Sequence, residues 1–163
     1  MNPKTLAGTG AAVTTAAVLG SVASAGANSP WYLALDKPVI QPPKTVFPVV
    51  WTLLYADIAI SSAVAIDRLQ VVDPSETVAF KRALVVNLVL NTSWSWIFFK
   101  AERLVPAIMV AGALAVSSID LARRAGRGSK ATGIALSPYA AWCSFATVLT
   151  SAIWRRNRAS AGG

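Results

Sequence analysis

The sequence has no histidine, a single cysteine and few charges. Without histidine there is no Ser-His or Cys-His nucleophilic pair and no His-ligated haem. With Cys143 alone there is no His/Cys zinc set and no intrachain disulfide. Charged residues make up 13% of the chain, against roughly 25% in an average soluble domain, and that deficit favours a membrane. Acidic residues are scarcest: 7 against 15 basic ones, a net charge of +8. Proteins that read nucleic acid gather such an excess on one face or arm. Here the basic residues fall in short clusters between apolar runs, as in loops facing lipid headgroups, so nucleic acid is not an expected partner.

What the sequence has in abundance is apolar length. Of the 163 residues, 55% are hydrophobic and the mean hydropathy is +0.53. Five apolar segments run from Thr5 to Ser24, Thr45 to Ile66, Ala83 to Phe99, Leu104 to Ile119 and Ala131 to Trp154. A membrane span needs about 17–25 residues, and the third and fourth segments are at the short limit. Helices are therefore expected over about 5–24, 45–66, 80–99, 104–122 and 131–154. The expected fold class is an all-α integral membrane protein, a five-transmembrane-helix bundle in one domain over 1–163. Five spans put the termini on opposite sides. Eight basic residues then fall on the N-terminal side and seven on the other, a count that leaves the orientation open. The first segment has two readings. Lys4, the apolar run and Ala23-Ser24-Ala25 resemble a secretory signal with its cleavage site. Gly8, Ala12, Ala16, Gly20 and Ser24 instead form a small-residue stripe of the kind that packs membrane helices closely.

The first connection, 25–44, carries Trp31-Tyr32 and then Pro38, Pro42 and Pro43. Proline fixes its own φ and extends the residue before it, so this loop is stiff and non-helical. It reads either as an interfacial aromatic anchor or as a lid over a pocket. Inside the spans, three helical faces combine aromatic and polar groups: Trp51, Tyr55 and Ile58; Asn87, Asn91, Trp94 and Phe98; Pro138, Trp142, Phe145 and Leu149, with Ala146 one turn beyond Trp142. Lipid offers no partner to an amide, so Asn87 and Asn91 point into the bundle. They serve either an interhelical hydrogen bond or a cavity lined by flat rings and oriented by amides. Asp57 sits mid-span, about 120° from Trp51 on the helix, a place for packing, dimer contact or a proton relay.

These residues resemble the TspO/MBR family, the translocator proteins or peripheral-type benzodiazepine receptors. The pattern W-Y-x-x-L-x-K-P-x-x-x-P-P runs from Trp31 to Pro43 and V-F-P-x-x-W-x-x-L-Y from Val46 to Tyr55. Asn91, Trp94, Phe98 and Phe99 match N-x-x-W…F-F, and Pro138 to Leu149 match P-Y-x-x-W-x-x-F-A-x-x-L. The resemblance, to a bacterial-type member, implies a five-helix bundle in a bacterial cell membrane, often a homodimer, whose cavity is closed by the first loop. It implies a receptor or sensor for tetrapyrroles such as protoporphyrin IX and haem, or for another hydrophobic small molecule, with no obligate cofactor, no bound metal and no catalytic residue. Transport and light-dependent porphyrin degradation are the alternatives, although no internal repeat or coupling-ion cluster is visible. By motif position Trp51 and Asn91 would hydrogen-bond the ligand, and Tyr32, Pro42, Tyr55, Asn87, Trp94, Trp142, Phe145 and Ala146 would complete the site. The chain departs from the family beside Pro42-Pro43, where Ile40-Gln41 and Lys44-Thr45 replace aromatics, and at Thr150, where members carry asparagine.

Overall fold

Three helices start on side chains that take up otherwise free N–H groups. In this computed structural model, which describes residues Met1–Arg158, Asn2 accepts from Lys4 N–H at 2.9 Å and Pro3 opens α1 (Pro3–Ser24). Ser29 does the same for the short α2 (Pro30–Ala34), and Asp73 accepts from Ser75 and Glu76 N–H to start α4 (Pro74–Ser95). Proline at the first helical position loses nothing, because its missing N–H has no intrahelical partner there. Between these lie a 3-10 turn (Ala25–Asn28) and α3 (Val46–Val72). A π-helical turn (Trp96–Lys100) ends α4, and α5 (Leu104–Gly128), α6 (Lys130–Ala135) and α7 (Ser137–Asn157) complete the chain. Four stretches are long and apolar enough to cross a membrane: Pro3–Asn28, Val46–Val72, Leu104–Gly128 and Lys130–Asn157. The long helix α4, with 22 residues, is not among them, so composition supports four spans rather than the expected five.

Several boundaries differ from those read off hydropathy. The charged stretch Asp67–Arg82, which reads as a loop, is helical except at Asp73. Charge marks where a helix leaves the hydrocarbon, whereas caps mark where it ends. For the same reason the helix expected over 104–122 continues to Gly128 and the one expected over 80–99 starts at Pro74. The helix expected over 131–154 is interrupted at Leu136, because Pro138 has no N–H to continue the ladder. Glu102, at φ 55°, is the one non-glycine residue with positive φ among the described residues, and it allows the tight reversal into α5.

Helix α5 packs against α4, α7 and α3, and α1 lies against α3 and α4. One core cluster centres on Ile58, Leu69, Phe80, Leu121, Leu136 and Tyr139, and a second on Tyr32, Phe98, Ala107, Leu149 and Ile153. The packed face of α1 is Thr9, Val13, Ala16, Gly20 and Ala23, not the four-residue series beginning at Gly8 and Ala12, which are exposed. A strict step of four drifts 40° per turn on a 3.6-residue helix, so only alternating steps of four and three stay on one face.

Candidate ligand cavity

The second core cluster borders a cavity of about 550 Å³ between α1, α3, the end of α4, α7 and the first connection. Pockets for drug-sized ligands run from about 300 to 1,000 Å³. Helix α3 contributes Phe47, Trp51 and Tyr55, whose two steps of four drift by only about 80° in all and so keep the three rings on the cavity side. Trp51 stacks on Tyr55 with centroids 5.4 Å apart and meets Trp142 edge-on at 6.4 Å. Phe47 also meets Trp142 edge-on, at 5.9 Å, and Trp142 leans on Phe145 at 5.4 Å. On the opposite wall Trp94 stacks on Phe98 at 5.4 Å. The π turn keeps Phe98 and the adjacent Phe99 both on the cavity.

The first connection covers one end. Tyr32 is buried, packs against Phe98 and Phe99, and accepts a hydrogen bond at its hydroxyl from Gln41 Nε2 at 3.2 Å. Burial raises the Tyr32 phenol above its ordinary value, and the Gln41 bond offsets part of that. Lys37 Nζ donates to the Tyr32 carbonyl at 2.6 Å and lies 4.6 Å from the ring centre. Gly26 is held against the π turn: a Cβ there would stand 2.5 Å from the Phe99 carbonyl oxygen. At the other end of the connection Asp36 N–H donates to Asn157 Oδ1 at 3.0 Å, and Arg156 pairs with the Asp36 carboxylate at 3.2 Å. Lys44 is the single charged side chain lining the cavity among the described residues; its Nζ donates to Asn28 Oδ1 at 2.6 Å.

Of the site residues expected from sequence, Tyr32, Trp51, Tyr55, Trp94, Trp142, Phe145 and Ala146 line this one cavity. Pro42, Asn87 and Asn91 do not. The two asparagines are buried behind the wall in a network of their own. Tyr55 Oη donates to Asn91 Oδ1 at 2.8 Å, Asn91 Nδ2 to Tyr139 Oη at 3.4 Å, and Tyr139 Oη to Asn87 Oδ1 at 2.7 Å. Asn87 Nδ2 donates to Ser118 Oγ at 3.0 Å and Ser117 Oγ at 3.2 Å. The amides therefore fasten α4 to α3, α5 and α7 and set the back of the Trp51–Tyr55 stack. Asp57 is off the cavity and accepts from Ser61 Oγ at 2.8 Å. Sequence reasoning missed Gln41, Phe47 and the α1 wall, Ala17, Gly20, Ser21 and Ser24. The α1 residues are too small to signal anything but packing.

The sequence pattern of the TspO/MBR family matches residues 9–155, nearly the whole chain. The chain belongs to the TspO/MBR family. Among its relatives, it is 32% identical over 143 residues to "Protein CrtK" of Rhodobacter capsulatus, covering 87% of this chain and 86% of that one. It is 30% identical over 152 residues to the "Tryptophan-rich sensory protein" of Cereibacter sphaeroides, covering 93% and 88%. The sheep "Translocator protein" is 27% identical over 155 residues, covering 89% and 85%. This TspO/MBR protein is thus an integral, multi-pass membrane protein with four long apolar helices.

Proposed function

We infer that the protein is a membrane receptor for a flat, largely apolar tetrapyrrole such as protoporphyrin IX, held in the cavity between α1, α3, α4 and α7. The observation that carries this reading is the ring box. Trp51, Tyr55, Phe47, Trp142 and Phe145 stand on one side and Trp94, Phe98 and Phe99 on the other, around about 550 Å³. Stacking and edge-on contacts of this kind add about 0.5–1.5 kcal/mol each beyond area burial. Lys44 at the covered end supplies one cation for a propionate, and Gln41 and Tyr32 supply polar groups beside it. With no histidine in the chain, haem would sit without an axial imidazole, so the site suits the metal-free ring at least as well. The connection 25–44 then acts as the cover of the pocket, and binding serves tetrapyrrole handling or a stress response.

The same reading takes α4 as a fifth span. Beyond the exposed Lys81 and Arg82 its outward face is Val85, Val86 and Val89, each more than half exposed, while its amides point inward. The inward amides and the two cations near its start together lower its average apolarity. Self-association as a homodimer is part of the proposal; the exposed α1 face at Gly8 and Ala12, where a Cβ on Gly8 would meet nothing within 4 Å, leaves room for a second helix.

Titration of purified protein with protoporphyrin IX, followed by tryptophan quenching and the Soret band in the dark, tests the receptor reading. Saturable binding is expected, weakened by Trp142→Ala; absence of saturable binding sinks it. A second reading, light-driven porphyrin breakdown, is favoured by Trp51 and Trp142 facing the same space 6.4 Å apart. It predicts Soret loss under illumination that disappears in Trp142→Phe.

A further inference from the structure

The cavity wall has a gap, and the gap faces lipid. At their far ends α1 and α3 are joined: Asn2 N–H donates to Asp67 Oδ2 at 2.5 Å and Thr9 Oγ1 to the Ala59 carbonyl at 2.9 Å. Toward the first connection no hydrogen bond joins the two helices among the described residues, and the cavity lies between them. Its wall there is Val18 and Ser21 on α1 and Pro48 and Thr52 on α3. Val18, Ser21 and Thr52 line the cavity and are exposed on the outer surface as well, which defines a mouth. Next to it on the outer faces are Val22, one turn beyond Val18, and Val49, beside Pro48, which are 53% and 60% exposed.

Depth decides what the mouth opens onto. Helix α3, with 27 residues, is about 40 Å long at 1.5 Å per residue, so it exceeds a ~30 Å hydrocarbon layer by about 5 Å at each end. Thr52 lies six residues into α3 and Val18 six residues before the end of α1, each about 9 Å from its helix end. The mouth is therefore below the headgroups. The aqueous side is closed instead by the fastened connection, through Asp36 to Asn157 and Arg156, Lys37 to the Tyr32 carbonyl, and Gly26 against Phe99.

We propose that the cavity is loaded sideways, through the gap between α1 and α3, by an apolar ring compound already dissolved in the bilayer, and that the first connection is a fixed cover rather than the door. This rests on the reading of the cavity as a ligand site. The selected ligands are then those that partition into the membrane, with any acid group left near the Lys44 end.

The test uses the full chain in lipid nanodiscs, with protoporphyrin IX either preloaded in the bilayer or added to the water, and stopped-flow tryptophan quenching as readout. Association is expected to follow the porphyrin mole fraction in the bilayer. Val22→Trp and Val49→Trp, on the rim and outside the cavity lining, are expected to slow association and dissociation alike by about tenfold and leave Kd within about twofold, as a narrowed passage does. Val22→Phe and Val49→Phe replace them if either variant fails to fold. Asp36→Ala, which unfastens the cover, is expected to leave both rates unchanged. Rim variants with parental rates, or faster association in Asp36→Ala, overturn the lateral route while leaving the receptor reading intact. No saturable binding in the parent chain removes the receptor reading and the route with it.

Discussion

Tyr139→Phe separates the amide network from the cavity. The substitution removes one oxygen and no carbon, from a side chain that is fully buried and outside the cavity lining. It deprives Asn87 Oδ1 of its 2.7 Å donor and Asn91 Nδ2 of a 3.4 Å acceptor. The second contact is long and contributes little, so the cost is mainly the orphaned Asn87 oxygen. Orphaning a buried polar group costs about 1–3 kcal/mol. In membranes, interhelical hydrogen bonds average only about 0.6 kcal/mol, because the unfolded helices also find partners. The site is enclosed on every side but has membrane-type competition, which puts the value near 1 kcal/mol, or a fall in Tm of about 2–4 °C for a chain of this size. Thermal unfolding in detergent, followed by tryptophan fluorescence, gives the shift, and porphyrin titration of the same sample should give a Kd within about twofold of the parent. In a double-mutant cycle with Asn87→Leu, the combined loss should be smaller than the sum, since replacing both partners leaves less unsatisfied. An unshifted Tm with binding lost in Tyr139→Phe would refute the reasoning: the network would then belong to ligand recognition, as the motif implied for Asn91.

Four further outcomes follow from the same geometry. Lys44→Gln should weaken porphyrin binding by roughly two- to fivefold, the range of an exposed ion pair, with the difference shrinking at high salt in the same titration. Glu76 is nearly buried between Arg124 and Arg127, at 2.7 and 2.5 Å; Glu76→Ala should destabilise the protein by about 1–3 kcal/mol in denaturant unfolding, less than the ~3–5 of a fully buried pair, because Arg127 is 50% exposed. Gly26→Ala should cost about 1–3 kcal/mol of overpacking against Phe99 and make the connection 25–44 more susceptible to limited proteolysis. The Asp73 carboxylate is held below its ordinary value, first by the Ser75 hydroxyl and then by the Glu76 and Ser75 N–H groups. Its stabilising contribution is therefore complete above the ordinary carboxylate range and lost as pH falls through the lowered native value, and an acid titration by circular dichroism should show this step abolished in Asp73→Asn, which caps without titrating.

Helical periodicity told which residues share a face, and that sufficed for Trp51, Tyr55, Trp94, Trp142, Phe145 and Ala146. It carried no information about depth. Asn87, Asn91, Trp94 and Phe98 follow one face along α4 and its closing π turn, yet Trp94 and Phe98 border open space while Asn87 and Asn91 face Tyr139 and Ser118 from other helices. What fills a face at a given height is decided by helices distant in sequence. The connection 25–44 has no periodicity at all, so the proline positions predicted its stiffness but not that Gln41, rather than Pro42, borders the cavity. On α1 the lining is built from Ala17, Gly20, Ser21 and Ser24, whose contribution to the cavity is the volume they leave empty.

The single residue between α3 and α4 bears on how the protein is made. Asp73 alone joins Val72 to Pro74. On the proposal that α4 is a fifth span, that short link leaves little slack, and the two helices are delivered to lipid together, as a hairpin whose polar groups are turned toward each other and toward α5. Helix α4, short of apolar surface for partitioning by itself, is then carried in by the 27 apolar-rich residues before it. Lengthening the Asp73 connection would be felt during biogenesis, in the yield of inserted protein, before it was felt in the folded cavity.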